Sequence, residues 1–316
     1  MDLRSYFKKM LEALDNGTIE RITVTKGDNE GLEILLGDDN LIASSKALVS
    51  DDISSSIHET IQATAHIVMF GSGHVAKALY ELCEMLGLPT TIIDPRSEMT
   101  TKQRFSNAKL YVTPYDKIPK EVAKIFNPYF CIFTHKHVGD LEALEYCLEN
   151  RPAAQYIGMI GSKNKIAQVY EQAMAHGFEK EELEKVHAPI GLKIGGDNPQ
   201  EIAISIMAEI ISIYSRKKHT SSIDIPFLQM LTEQREGVLC RIISKSGSGP
   251  RAVGSQMLVT KDGIKGTIGG GSLETSVIED ARKLTAETMI KHYGLNEADL
   301  GMACGGEVDI LFTNLG

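Results

Sequence analysis

The sequence has few cysteines and no long apolar run, and each shortage excludes a class of protein. None of its five cysteines forms a C-x-x-C pair, so the spacing typical of zinc ribbons and thioredoxin-like motifs is missing. No apolar run approaches the roughly 18 residues that a membrane-spanning helix needs. The polar start of the chain lacks the pattern of a signal peptide. We therefore expect a cytoplasmic protein with no membrane partner.

Positive charge is the next shortage. The 316 residues include 33 Lys and Arg against 42 Asp and Glu, which gives a formal net charge of −9 at pH 7. A broad basic surface for nucleic acid is therefore not expected. Any site for an anionic ligand must be local, made of backbone amides and a few Lys or Arg side chains. The length is enough for two domains that each bury a core.

Three blocks are visible along the chain, at residues 1–62, 63–218 and 224–316. The polar stretch 216–222 predicts a linker before the third block. The first and third blocks resemble each other at an offset of 220 residues without a gap. The matching pairs include Phe7 and Phe227, Met10 and Met230, Gly17 and Gly237, Arg21 and Arg241, and Gly27 and Gly247. We interpret the first block as a degenerate partial copy of the third with a structural role. Coincidence between two amphipathic helix–strand units is the alternative.

The middle block carries a dinucleotide-binding pattern. The apolar strand signal His66–Phe70 runs directly into Gly71 and Gly73, followed by the small residue Ala76 and a helix pattern. A second strand signal ends at Asp94, 21 residues after Gly73. In this G-x-G-x-x-A pattern the glycines allow a tight turn and close approach of a diphosphate, and the acid accepts ribose hydroxyls. The pattern predicts an α/β fold with a Rossmann-like parallel sheet.

Two further motifs follow later strand signals of the same block. Ligands in such sheets lie beyond the carboxyl ends of the strands, so we expect these motifs beside the glycine loop. Their amides, imidazoles and lysine suit a phosphate or diphosphate group. A metal ion is the less favoured alternative, because zinc sites need three or four ligands. The residues are His135, His137 and Asp140 in one motif, and Gly161, Ser162 and Lys163 in the other.

The third block contains two glycine-rich turns. Three glycines at a helix start are costly in chain entropy, which favours a role in close approach of the backbone to an anionic ligand. An arginine in the other turn is well placed to bind a phosphate. A flexible hairpin exit and a solvated arginine are the alternatives. The candidate residues are Ser248 and Arg251 in the first turn, and Gly269, Gly270, Gly271 and Glu274 in the second.

Cys304 differs from the other cysteines because it lies in a glycine-rich segment, 299–307, and not on an apolar strand. Backbone amides there favour a thiolate, and a thiolate is a ligand for soft metals. A small residue in a tight turn is the alternative. The remaining cysteines sit among apolar neighbours and are predicted to be reduced core residues; they are Cys83, Cys131, Cys147 and Cys240.

These motifs together resemble the XdhC/CoxI family of xanthine dehydrogenase accessory factors. The resemblance rests on G-S-x-P-R-x-x-G from Gly247, D-G-x-x-G-T-I-G-G-G-x-x-E from Asp262, and G-x-x-C-G-G from Gly301. The middle block is similar to the family's companion Rossmann domain, in T-H-x-H-x-x-D from Thr134 and Y-I-G-M-I-G-S from Tyr156. The resemblance to the family as a whole covers roughly residues 66–316. The fold it implies is a Rossmann-like domain plus a smaller XdhC/CoxI-type α/β domain.

The resemblance implies an accessory protein more than a catalyst. Such a protein would bind molybdenum cofactor, support its sulfuration and deliver it to a xanthine dehydrogenase-type molybdenum hydroxylase, with Cys304 near the molybdenum. A cysteine desulfurase is a further implied partner. We also expect a homodimer, and NAD(P) or another nucleotide in the Rossmann-like domain. An NAD(P)-dependent oxidoreductase and a scaffold that binds no cofactor are the alternatives.

Two departures from the family pattern bear on this expectation. The Rossmann-like block precedes the XdhC/CoxI-type block, whereas the family usually has the opposite order. Ser272 follows the three glycines where the family commonly has cysteine. One thiol that could meet molybdenum is therefore missing.

Overall fold

The computed structural model describes residues 2–38, 40–150, 154–214, 220–248, 251–295 and 305–316. The chain forms two units. Residues Met1–Ala63 together with His219–Gly316 make the first, called the split unit below, and Thr64–Lys218 make the second, called the parallel unit. The first and third sequence blocks thus belong to one unit. No helix in the described ranges is long and apolar enough to cross a membrane.

The split unit begins with one helix and four strands. Asp2 caps the helix, since its side chain accepts a hydrogen bond from the Ser5 amide at 2.8 Å. Apolar residues at helical spacing, among them Phe7, Met10 and Leu14, are buried on one face. The elements are α1 (Leu3–Leu14), β1 (Ile19–Val24), β2 (Glu33–Gly37), β3 (Asn40–Ser44) and β4 (Ser56–Ala63).

The parallel unit alternates strands and helices. Its strands are β5 (His66–Phe70), β6 (Thr90–Ile93), β7 (Lys109–Tyr111), β8 (Pro128–Ile132) and β9 (Tyr156–Met159). Its helices are α2 (His74–Leu86), α3 (Asp140–Asn150), α4 (Lys163–Ala175), α5 (Lys180–Leu183) and α6 (Pro199–Tyr214). All strand pairs are parallel, in the order β7-β6-β5-β8-β9.

Helices cover both faces of this sheet, which explains its almost continuously apolar strands. On β5, Ile67 and Met69 belong to the core formed with α2 and α6, whereas Val68 and Phe70 belong to the core formed with α3 and α4. The prediction of an α/β fold with a parallel sheet is confirmed. The sheet presents the carboxyl ends of its strands, and the loops that follow them, along one edge.

The rest of the split unit adds a second sheet. Its elements are β10 (Thr220–Ile223), α7 (Ile225–Glu233), β11 (Val238–Ser246), β12 (Gln256–Thr260), β13 (Gly263–Gly266), α8 (Gly271–Lys283), β14 (Thr288–Leu295) and β15 (Gly306–Asn314). The two sheets have the orders β10-β4-β1-β2-β3 and β13-β12-β11-β15-β14. Leu273, Val277 and Ala281 of α8 pack into the core of the second sheet.

A buried ionic cluster joins the two halves of the split unit. Arg21 on β1 and Arg241 on β11, which the 220-residue offset relates, both contact Glu59, at 3.0 Å and 2.7 Å. Arg241 also pairs with Glu33. Two arginines and two glutamates cancel in charge, which lowers the cost of burying them. Both carboxylates come from the first block, so Arg241 depends on the N-terminal segment for its counter-ions.

Candidate functional site

A cavity of about 810 Å³ lies at the carboxyl edge of the parallel sheet. Its size is that of a small-molecule or cofactor site. The loops after β5, β8 and β9 line it, as the strand order predicts. Six of the predicted site residues lie in its wall, namely Gly73, Ala76, His135, His137, Gly161 and Ser162. Gly71, Asp94, Asp140 and Lys163 are not in the wall, and the first three of these support it from behind.

The two glycines of the first loop have different tasks. Gly71 has φ +120°, and a Cβ atom there would overlap the carbonyl oxygen of Phe133 at the end of the neighbouring strand. A side chain at Gly71 is therefore excluded by backbone packing. A Cβ atom at Gly73 would meet nothing within 4 Å. Gly73 caps α2 without a side-chain hydrogen bond, so the first amides of α2 face the open cavity.

Asp94 does not have the role that the sequence indicated. Its carboxylate is fully buried and accepts four hydrogen bonds from the protein. The Arg96 amide and Nε reach Oδ1 at 2.9 Å each, Arg96 Nη2 reaches Oδ2 at 2.6 Å, and the Ser72 amide reaches Oδ2 at 2.8 Å. Because a carboxylate offers about four acceptor positions, none is left for ribose hydroxyls. Burial raises the pKa of Asp94, but these hydrogen bonds outweigh it and hold the pKa below its ordinary value.

Arg96 takes the place beside the cavity that we expected for Asp94. Its side chain is 22 % exposed and lines the cavity wall. Arg104 braces the same region from behind, since its Nη1 donates to the carbonyl oxygens of Ser72 at 2.8 Å and Met99 at 2.6 Å. Sequence reasoning missed Arg96 as a site residue. The dipeptide after Asp94, Pro95–Arg96, was the available signal.

The second motif forms an oriented imidazole. His137 Nδ1 lies 2.7 Å from Oδ2 of the buried Asp140, whose Oδ1 accepts a 2.5 Å hydrogen bond from the Thr134 hydroxyl. Lys136 and His137 both have positive φ angles, 54° and 61°, which non-glycine residues adopt at a cost. His135 is exposed. Among the described residues no three His, Cys, Asp or Glu side chains are grouped so that they could hold a metal ion. The metal alternative, which needs three or four ligands, therefore gains no support here.

The third motif turns the chain into α4. Ser162 caps the helix by accepting a hydrogen bond from the Lys165 amide at 3.4 Å. A Cβ atom at Gly161 would lie 3.8 Å from His137 Cε1, so the second and third motifs meet. Lys163 is exposed and does not belong to the wall.

Segment 189–197 forms a wall that the sequence did not reveal. The Gly191 amide donates to Glu209 Oε2 at 2.9 Å, and the Asp197 amide donates to Glu201 Oε2 at 3.0 Å, so both ends are tied to α6. Between the ties, Leu192 and Ile194 are 40 % and 57 % exposed and line the cavity. This wall is apolar and suits a ring system.

The charges of the wall are unequal. Arg96, Lys136 and Lys193 line the cavity, and Asp197 is the one acidic residue among its described wall residues. In a chain of net charge −9 this is a local concentration of positive charge, which an anion site in such a chain needs.

The three-glycine turn of the split unit holds its own carboxylate. Glu274 Oε2 accepts hydrogen bonds from the Thr267 hydroxyl at 2.6 Å, the Gly270 amide at 3.0 Å and the Ile268 amide at 3.2 Å. Burial raises the pKa of Glu274, but these bonds outweigh it and lower the pKa overall. Glu274 thus fixes the turn. Gly271, where a Cβ atom would meet nothing within 4 Å, leaves the start of α8 open.

The remaining predicted site residues lie in the turns of the split unit or outside the described ranges. Ser248 pairs with Gly305 in an isolated bridge, so its turn lies beside the start of β15. Gly269 has φ +129°, which supports the tight turn before α8. Arg251 is exposed. Cys304 lies outside the described residues, so its role stays a prediction. The other four cysteines are buried and free, which confirms the prediction of reduced core residues.

Two family matches cover most of this architecture. Residues 67–210 match the XdhC Rossmann domain, and residues 230–294 match the XdhC and CoxI family. The first range contains the cavity, and the second contains the three-glycine turn.

Two curated proteins are similar to parts of this chain. The chain is 30% identical over 149 residues to the uncharacterized protein YqeB of Escherichia coli strain K12, over 46% of this chain and 27% of YqeB. It is 25% identical over 170 residues to a probable xanthine dehydrogenase subunit of Bacillus subtilis strain 168, over 52% of this chain and 48% of that protein. The chain therefore spans less than half the length of both relatives.

A crystal structure of a xanthine dehydrogenase from Bacillus halodurans is similar in fold. The TM-score is 0.50 at 20% sequence identity, covering 72% of this chain and 69% of that one.

Proposed function

The chain belongs to the XdhC and CoxI family, and from that premise we propose that it is an accessory factor of a xanthine dehydrogenase-type molybdenum hydroxylase. It binds molybdenum cofactor as cargo, supports its sulfuration and delivers it to the hydroxylase. The name of the Bacillus subtilis relative supports the hydroxylase as partner. A cysteine desulfurase as second partner and a homodimer stay predictions.

The observation that carries this proposal is the charge of the cavity. Molybdenum cofactor joins a flat pterin to a phosphate. One part of the cavity lining is apolar and contains Leu192 and Ile194. Another part is positively charged and contains Arg96, Lys136 and the open amides of α2. A ligand with one planar and one anionic part fits both walls.

The split unit, taken by itself, also carries groups that suit a ligand of this chemistry. The open start of α8 at Gly271 offers helix amides, and Arg251 offers an exposed guanidinium. We assign Cys304 to the metal end, because a thiolate suits a soft metal. The glycine-rich turns that contain Ser248, Gly269 and Gly270 belong to the same proposed binding groups.

Anaerobic equilibrium binding of molybdenum cofactor to the full chain tests the proposal. We expect tight binding by the wild-type chain and a loss of roughly tenfold in Lys136→Ala at the cavity and in Arg251→Ala and Cys304→Ala of the split unit, equivalent to about 1.4 kcal/mol. Arg282→Ala is the matched control, since Arg282 is an exposed arginine at the far end of α8. Absence of binding, or equal binding by all five proteins, contradicts the proposal.

The His137–Asp140 pair favours one second candidate function, an NAD(P)-dependent oxidoreductase. A carboxylate-oriented imidazole in a dinucleotide-type cavity is the arrangement of a general acid–base group. A fold of this type does not establish redox chemistry by itself. Steady turnover of a reduced nicotinamide by the isolated chain, abolished in His137→Ala, would select this function over the accessory role.

A further inference from the structure

The carboxyl end of β6 is where Rossmann-type proteins recognise the adenosine ribose. An acid at this position accepts hydrogen bonds from the ribose hydroxyls of NAD, whereas an arginine nearby accommodates the 2′-phosphate of NADP. The sequence places Asp94 there, which favours NAD. The structure removes Asp94 from the cavity, because all four of its acceptor positions are filled and its side chain is buried.

Arg96 remains at the cavity with donors to spare. Its Nε and one Nη2 hydrogen are engaged by Asp94. In the described part of the chain Nη1 has no partner, so two N–H groups of Nη1 and one of Nη2 are left for a ligand. Asp94 holds the guanidinium in a fixed orientation, and this preorganisation lowers the entropy lost when a ligand binds.

At the carboxyl end of β6 the cavity is therefore lined by a cation, Arg96, and the acid of this position is turned away from it. A ribose 2′-hydroxyl beside Arg96 would meet donors, and the Asp94 carboxylate that usually accepts its proton is already saturated. A 2′-phosphate would instead receive charge-assisted hydrogen bonds from Arg96. Lys136, on the loop after β8, adds a second positive charge to the lining of the cavity.

We propose that this cavity binds a nicotinamide dinucleotide that carries a 2′-phosphate, and that it discriminates against the form without this phosphate. Arg96 is the specificity-determining residue, and Asp94 is the positioning residue behind it. Gly73 and the amides at the start of α2 receive the diphosphate, as this loop type does. The proposal goes beyond the accessory role and does not depend on it.

Binding of NADPH and NADH to the full wild-type chain, followed by their fluorescence, tests the proposal directly. We expect NADPH to bind at least tenfold more tightly than NADH. In competition for bound NADPH, 2′-AMP should displace it at lower concentration than 5′-AMP. Equal or tighter binding of NADH, or no binding of either dinucleotide, overturns the proposal. Because the proposed function places molybdenum cofactor in the same cavity, its binding is measured separately, with no dinucleotide present.

A double variant and a control test whether Arg96 causes the preference for NADPH over NADH. Changing Arg96 alone would leave a buried carboxylate without its counter-ion, so we choose the double variant Asp94→Asn/Arg96→Gln, which removes both charges together. We expect it to lose the preference for NADPH while it keeps the circular dichroism spectrum of the wild type. Lys109→Gln is the control, because Lys109 is exposed at the amino end of β7, away from the cavity edge. An unchanged preference in the double variant overturns the assignment.

Discussion

Two glycine-rich turns lead into helices in this chain, and in both a carboxylate binds the amides of the turn. Asp94 accepts from the Ser72 amide in the turn before α2. Glu274 accepts from the Ile268 and Gly270 amides in the turn before α8. The two turns differ in what balances the negative charge. Arg96 neutralises Asp94, whereas Glu274 has no Lys or Arg ion pair in the described ranges.

This difference decides what each turn presents to a ligand. The α2 turn presents a guanidinium and open amides, so it attracts an anion. The α8 turn presents open amides next to a partly exposed carboxylate, which weakens but does not cancel its attraction for an anion. A glycine motif thus specifies backbone geometry, and the neighbouring counter-ion specifies the charge of the site.

The largest expected effect comes from the glycines of the α2 turn. Gly71→Ala should destabilise the parallel unit by roughly 3 kcal/mol or more, because the new Cβ atom would overlap the Phe133 carbonyl at a positive φ. Gly73→Ala, whose Cβ atom meets open space at φ −72°, should cost less than about 1 kcal/mol. Chemical denaturation followed by circular dichroism compares them. Equal losses in both variants would contradict this distinction.

The next effect compares the two carboxylates. Asp94→Asn should lower the free energy of unfolding by about 2 kcal/mol, because it leaves Arg96 without its counter-ion. Glu274→Gln keeps an acceptor oxygen and removes no ion pair, so we expect a loss of about 0.5–1 kcal/mol. The same denaturation experiment measures both. A larger loss for Glu274→Gln would reverse the comparison.

The pH dependence of these losses follows from the lowered pKa values of Asp94 and Glu274. A carboxyl group whose pKa is lower in the folded state stabilises the protein above its unfolded pKa, about 4. This stabilisation disappears as the pH falls through the folded-state pKa. The difference in unfolding free energy between wild type and each variant should therefore be largest near neutral pH and shrink below about pH 4. A difference that stays constant with pH would argue against ionised carboxylates in these roles.

The smallest expected effect concerns affinity at the α8 turn. Glu274→Gln removes the negative charge beside the open amides of α8, so it should strengthen binding of molybdenum cofactor by roughly two- to fivefold. Glu279→Gln, on the same helix but outside the turn, is the control. Weaker binding in Glu274→Gln, with the fold intact, would mean that the carboxylate itself holds the cargo.

Patterns of local origin were predictable from the sequence. The strand–glycine–helix pattern around Gly71 and Gly73 indicated the fold of the parallel unit, because periodicity and backbone freedom act over short stretches. The motifs at His137 and Gly161 were expected at the same edge, because the carboxyl ends of parallel strands lie side by side. The structure brings both to the cavity.

Features that depend on distant packing were not predictable. Asp94 turns inward because Arg96 folds back onto it, and Arg104 braces that loop through Ser72 and Met99. The wall at 189–197 depends on Glu209 of α6, whose approach no local pattern indicates. Glu274 has the acidic character expected at a helix start, but its three hydrogen bonds could be seen only in the folded turn.

Activation of a xanthine dehydrogenase-type hydroxylase tests the accessory role most directly. The hydroxylase, prepared without molybdenum cofactor, is incubated anaerobically with the cofactor in the presence or absence of the full chain, and its substrate oxidation is then measured. We predict that the chain raises the active fraction of hydroxylase, and that Arg251→Ala and Cys304→Ala lose this effect while Arg282→Ala keeps it. Equal activation with and without the chain would contradict the account.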